Sequence, residues 1–158
     1  MADYGVPADL DGTLPWSWAE RRLLDARNFW LTTASRTGRP HSLPVWGVWL
    51  ADRQRFWFSC ASSSRKLRNI LANPCVVFAP EDSVDVVSIE GVATQVSAEA
   101  SHDAIDRYIA KYWDDPTEWP TMIEFLTSNA MVEVAPARGF GIIEREAEFA
   151  TRATRWVW

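Results

Sequence analysis

The residues best placed to do chemistry are Ser62-Ser63-Ser64-Arg65-Lys66-Leu67-Arg68-Asn69. They follow a strand-like run and open a helix-like one. A helix start offers free backbone N–H groups and the positive end of the helix dipole. Hydroxyls and two adjacent cations at such a place suit a phosphate, with Lys66 as a point charge and Arg65 as a planar fork. The simpler alternative is a capped surface helix whose first turn happens to be basic. Cations in a first turn are unfavourable by about 0.3–1 kcal/mol each, so two of them need a reason, and an anion supplies one.

A second informative stretch is Gly38-Arg39-Pro40-His41-Ser42-Leu43-Pro44-Val45-Trp46. Pro44 inside a strand removes a ladder donor. It marks either an edge strand guarded against aggregation or a place where irregular backbone meets a planar ligand. His41 and His102 are the only histidines, and neither has neighbours spaced for a metal, so no zinc site is expected. His102 reads as a solvated helix residue. No GxSxG elbow, Walker loop or paired carboxylates appear, which removes common hydrolase and nucleotide-hydrolysing classes. Glu81, Asp82 and Asp85 read as a solvated acidic turn.

Around these motifs, the elements can be placed by periodicity. Residues 1–14 read as a polar lead-in. Pro15 opens a helix that runs to about Asn28. Three strands follow, at Phe29–Ala34, His41–Leu50 and Arg55–Cys60, joined by short polar turns as in an antiparallel meander. Leu67, Ile70 and Leu71 stripe the short basic helix, which Asn73-Pro74 ends. Cys75–Ala79 reads as a buried apolar strand, and Val84–Val96 as a long strand with a bend at Gly91. Ser101 is placed to cap a helix with the stripe Ile105, Tyr108, Ile109 and Tyr112. Met122–Leu126 forms another helical turn, and strands at Ala130–Ala135 and Gly139–Glu144 close the sheet. This order lacks strand–helix alternation, so the expected fold is mainly β with helices (α+β): an antiparallel, closed or partly closed barrel at 15–145, with residues 146–158 as a C-terminal arm.

The 158 residues fit one domain, and the net charge of −5 argues against a nucleic-acid binder. No apolar run is long enough to span a membrane. Cys60 and Cys75 lack CxxC spacing, and no leader is evident, so a cytoplasmic protein with reduced thiols is expected. Ten tryptophans imply large flat surfaces, either in a core or against interfaces and planar ligands. Trp46, Trp49 and Trp57 are candidates to line an apolar pocket.

Four segments together, "TGRPHSLPVWGVW", "FWFSCASSSRKLRNILANP", "VSIEGVATQVS" and the helix ending "YIAKYW", resemble the pyridoxamine 5′-phosphate oxidase-like split-barrel superfamily. The similarity runs from about Arg21 to Glu144 and is greatest to deazaflavin- and flavin-dependent reductases of actinobacterial type. The resemblance implies a homodimer with the cofactor in a cleft between subunits. It implies Ser59, Ser64, Arg65, Lys66 and Asn69 at the cofactor phosphate. Pro44, Val45 and Trp46 would lie beside the ring, with His41 and Ser42 near it. Arg155-Trp156 would be a terminal arm approaching cofactor or partner. Coenzyme F-420 is the cofactor the resemblance favours and FMN the alternative; both carry a ribityl phosphate. The implied activity is hydride transfer to a small planar, unsaturated substrate without an obligatory catalytic side chain. Relatives that bind haem or hold cofactor without turnover keep a non-catalytic role in play.

Overall fold

The computed structural model describes residues 12–148 and 152–158. In chain order the elements are α1 (Trp16–Asp25), β1 (Asn28–Ala34), β2 (Pro40–Leu50), β3 (Arg55–Cys60), α2 (Arg65–Ala72), β4 (Cys75–Pro80), β5 (Asp85–Val96), α3 (His102–Tyr112), α4 (Trp119–Thr127), β6 (Ala130–Ile143) and β7 (Thr154–Val157). All strand pairings are antiparallel. The sheet order is β3-β2-β1-β4-β5-β6-β7, and β3 also pairs with β6. That last pairing closes a six-stranded barrel and leaves β7 as a flap on β6.

Strand alternation fills this barrel. Phe29, Phe56, Phe58 and Phe78 point inward and are fully buried, with Phe56 stacked on Phe78 at 4.3 Å. Each such side chain contributes roughly 1.5–3 kcal/mol by leaving water. Gly47 sits where any side chain would strike the Phe56 ring. Leu67 and Ile70 of α2 join this inner core. A second core lies outside the barrel, where α3 lays Ile105, Tyr108, Ile109 and Tyr112 over Val48, Leu50 and Trp57.

Several expectations need correction. Trp57 and Trp49 are core rather than pocket residues: α3 covers Trp57, whose indole N–H donates to Ser101 Oγ at 3.1 Å, and Trp49 donates to Glu20 of α1 at 3.0 Å. Ser101 consequently does not cap α3; its hydroxyl donates to the Ser97 carbonyl at 2.8 Å. The two closing strands are one, β6, because an extra residue at Ala137 forms a bulge against Glu90-Gly91. Pro136 sits beside that bulge, where it breaks no run of strand. The bend expected at Gly91 is this same irregularity. In β4 only alternate residues are buried, and Cys75 is exposed. Asp85 is not part of a solvated turn: its side chain is 14% exposed and pairs with Arg22 and Arg145.

Residues 1–11 of the expected lead-in and 149–151 of the expected arm lie outside the described residues. Leu14, by contrast, is buried, and its N–H donates to Thr154 Oγ1 at 2.7 Å. The end of the arm is β7, paired with residues 138–141 of its own β6. Trp156 presses on Gly141, which leaves no room there for a Cβ, and meets Trp16 edge-on at 5.6 Å. Among the described residues, no helix is long and apolar enough to cross a membrane.

Candidate functional site

The barrel is incomplete at one corner. The β2–β3 ladder begins at Leu50–Arg55 and ends at Gly47–Phe58, so residues 40–46 of β2 pair only with β1. Main-chain directions follow from two hydrogen bonds. Gly47 N–H donates to the Tyr112 hydroxyl at 2.9 Å, and the His41 carbonyl accepts from Thr33 Oγ1 at 3.4 Å. Since Thr33 is on β1 and Tyr112 fills the place beyond β1's end, odd-numbered residues of this stretch turn their polar groups toward β1. Ser42, Pro44 and Trp46 therefore turn theirs to the open edge. Pro44 sits where a missing N–H costs no ladder bond, as expected for an edge position. The same alternation sends the Val45 side chain into the core. It leaves Ser42 and Trp46 outward, with the Ser42 hydroxyl accepting from Thr32 at 2.9 Å.

One residue past the end of the ladder, Trp46 and Ser59 would be partners. They stand instead on the two lips of the split. Ser59 is half-buried and still paired on its other side to Met131 of β6. Only residues 61–64 separate β3 from α2, so the helix start belongs to the same corner. Ser64 caps α2 by accepting from Leu67 N–H at 3.3 Å, and Arg68 is drawn back to the Ser63 carbonyl at 2.7 Å. The N–H groups of Arg65 and Lys66 have no backbone partner. Nor does either cationic side chain hydrogen-bond or pair with another described residue, and the first turn holds no acid. Asn69 faces the other way. It is buried and donates to Thr33 Oγ1 at 2.9 Å, which ties α2 through Thr33 to His41.

Chain connectivity thus groups Ser59, Ser64, Arg65 and Lys66 at one end of the split. Pro44 and Trp46 lie along its β2 lip. Val45 and Asn69 serve from within, one by packing and the other by anchoring the helix.

Sequence reading misses what surrounds Trp46. Its ring stacks on Tyr112 with centroids 4.9 Å apart and planes 6° from parallel, and Trp113 meets it edge-on at 5.9 Å. The Tyr112 hydroxyl donates to the Arg27 carbonyl at 2.6 Å, which carries the β1–β2 ladder one step beyond β1. Lys111 donates to the Gly47 carbonyl at 3.0 Å. The guanidinium of Arg27 lies 5.3 Å from the Tyr112 centroid and 5.8 Å from that of Trp46. Burial lowers the Lys111 pKa to about 8; the Arg27 charge pushes the same way and Asp25 opposes it. Burial raises the Tyr112 phenol, against its hydrogen bond with Gly47 and the Arg27 charge.

An antiparallel barrel parted at one corner, with a basic helix start at the parting, defines a split barrel. The chain belongs to the pyridoxamine 5′-phosphate oxidase family, whose profile matches residues 19–140. Solved structures agree on the fold. The conserved protein Rv2991 of Mycobacterium tuberculosis is 21% identical with a TM-score of 0.74, over 89% of this chain and 92% of its own. HutZ, the haem storage protein of Vibrio cholerae, is 18% identical with a TM-score of 0.66, over 84% of this chain and 99% of its own. A structure described as an F420 reductase is 20% identical with a TM-score of 0.60, over 76% of this chain and 94% of its own. No curated protein matches the sequence.

Proposed function

We propose that the chain is a cytoplasmic oxidoreductase that binds coenzyme F-420, with FMN as the alternative, in the split between β2 and β3. The observation that carries this reading is the start of α2, where two cations and two backbone N–H groups stand without an acidic partner beside exposed serine hydroxyls. Such a start suits a phosphate. Lys66 and Arg65 supply charge, the first N–H groups supply direction, and Ser59 supplies a hydroxyl from the β3 lip. Ser64 contributes by holding the cap, and Asn69 by fixing the helix to Thr33.

The ring would lie along the open edge of β2, where Ser42, Pro44 and Trp46 present main-chain groups and one outward face. Val45 keeps this strand seated from the core side, and His41 marks its far end. When bound, a deazaflavin or flavin supplies hydride chemistry; the protein's part is to orient it and exclude water. The substrate is then a small planar, unsaturated molecule resting against the exposed part of Trp46. No side chain of the split is required to transfer a proton.

The second subunit is proposed to be another copy of the chain, packed on the outer face of β1, β4 and β5. Trp30 is 49% exposed there, and Val92, 45% exposed, borders a hollow of about 310 Å³ lined also by Thr32, Val77 and Cys75 among others.

The test is titration of the purified chain with F-420 and with FMN, followed by absorbance. Saturable binding of one of them is expected. Lys66→Ala should weaken it 10- to 100-fold, since a charge-assisted hydrogen bond is worth about 1.5–3 kcal/mol. Absence of binding to either cofactor refutes the proposal. The likeness to HutZ over almost all of that chain favours a second reading, haem or tetrapyrrole binding without turnover. That reading predicts tight tetrapyrrole binding and no oxidation of reduced F-420 by quinones or enones.

A further inference from the structure

The corner beside Trp46 has a charge balance that its structural role leaves unexplained. Lys111 and Arg27 converge on it, near enough that the arginine helps drive the proton from the lysine. Neither forms an ion pair with a described carboxylate; Asp25 acts on Lys111 only as a nearby charge. Contact with the Phe29 and Tyr112 rings, 5.2 and 5.5 Å from the ammonium, offsets part of the cost for one cation. It gives no reason to gather two in a chain whose net charge is −5. The ammonium has three donors, and the Gly47 carbonyl uses one of them. Beside the two cations, Trp46 is 45% exposed although it is stacked on Tyr112. Cations set next to an exposed aromatic surface match a ligand that is an anion and a flat ring at once.

We propose that Arg27 and Lys111 seat the carboxylate of an aromatic or conjugated acid whose ring lies against Trp46. The corner is thereby a substrate seat on the β1 side of the β2 lip, with an unsaturated carboxylic acid as the substrate class. The word substrate rests on the cofactor reading given above; the carboxylate seat stands on this corner alone. Arg27 offers the fork that matches a carboxylate, and Lys111 a point charge beside it. A neutral ligand of the same shape would leave both cations as they are, so the corner should separate an acid from its amide.

The experiment is calorimetric titration of the full chain with 2-naphthoate and with 2-naphthamide, without cofactor. The acid is expected to bind at least tenfold more tightly than the amide. Arg27→Gln and Lys111→Met should each bring the two within about threefold, with the affinity for F-420 or FMN changed less than threefold. Arg27 is exposed, so its variant tests the seat even where Lys111→Met fails to fold. Equal binding of acid and amide by the unaltered chain overturns the proposal, as does an unchanged preference in Arg27→Gln. Lys66→Ala separates the two proposals: it should weaken cofactor binding about 10- to 100-fold and leave the preference for naphthoate intact.

Discussion

Two aromatic clusters flank the barrel, one packed on its inner core and one on its outer face, and each sets an arginine against a ring. On one flank Trp16 packs between Trp49, Trp156 and Trp158, with centroids 4.8–5.8 Å apart. Arg22 lies over the neighbouring Trp18 at 3.7 Å, and its charge is answered by Asp85. On the other flank Trp46 stacks on Tyr112, and Arg27 and Lys111 converge there without a carboxylate in contact. The residue types are the same; the electrostatic accounts are not. Where cation, ring and acid are all present, the cluster is complete within the chain and reads as architecture. Where the acid is missing and a ring is left exposed, the chain is complementary to something it does not contain.

The largest expected effects come from deleting one ring on each side. Trp49→Ala opens a cavity under α1 and strands Glu20, and should cost about 3–5 kcal/mol in urea unfolding. Trp46→Ala removes a half-exposed ring and should cost about 1 kcal/mol, while weakening naphthoate binding severalfold. Equal losses of stability would erase the contrast.

The charges come next. Asp85→Asn strips Arg22 and Arg145 of their shared partner at a mostly buried position and should cost about 2–4 kcal/mol. Arg27→Gln should change stability by no more than about 0.5 kcal/mol, because no ion pair is lost.

The last effect is the pH dependence of Lys111. Its folded pKa of about 8 lies below its ordinary value of 10.5, so between these values the unfolded chain holds more protons. Stability should therefore gain from this group as pH rises from 8 to 10.5, and that gain should vanish in Lys111→Met. Naphthoate affinity should move the opposite way and fall above about pH 8, as the ammonium loses its charge. The neighbouring Tyr112 phenol is pushed above its usual range by burial, so the inflection belongs to Lys111.

The sequence is most informative where structure is local. The strand at Arg55–Cys60 after its polar turn, the stripe of α3 and the Asn73-Pro74 stop each depend on neighbours in the chain, and each stands where the local pattern puts it. The basic start of α2 is legible for the same reason. What escapes is set by distant partners. Ser101 looks like a cap but serves Trp57, 44 residues away. Pro136 looks like a break between strands, but the bulge at Ala137 absorbs it. Tyr112 belongs to an apolar stripe, yet its hydroxyl reaches Arg27 and Gly47, 85 and 65 residues off. The Lys111 corner has no signature at all, since an adjacent Lys-Tyr pair at a helix end is commonplace. The split itself is half visible: Pro44 marks an edge, but only the end of the β2–β3 ladder shows that the barrel opens there.

The central claim is that the start of α2 holds a cofactor's phosphate. The most direct measurement is a crystal structure of the chain soaked with whichever of F-420 and FMN it binds. The account predicts phosphate oxygens within hydrogen-bond reach of the Lys66 ammonium and the Arg65 and Lys66 N–H groups, with the ring along residues 42–46. A bound cofactor whose phosphate lies elsewhere, with that helix start bare, would contradict it.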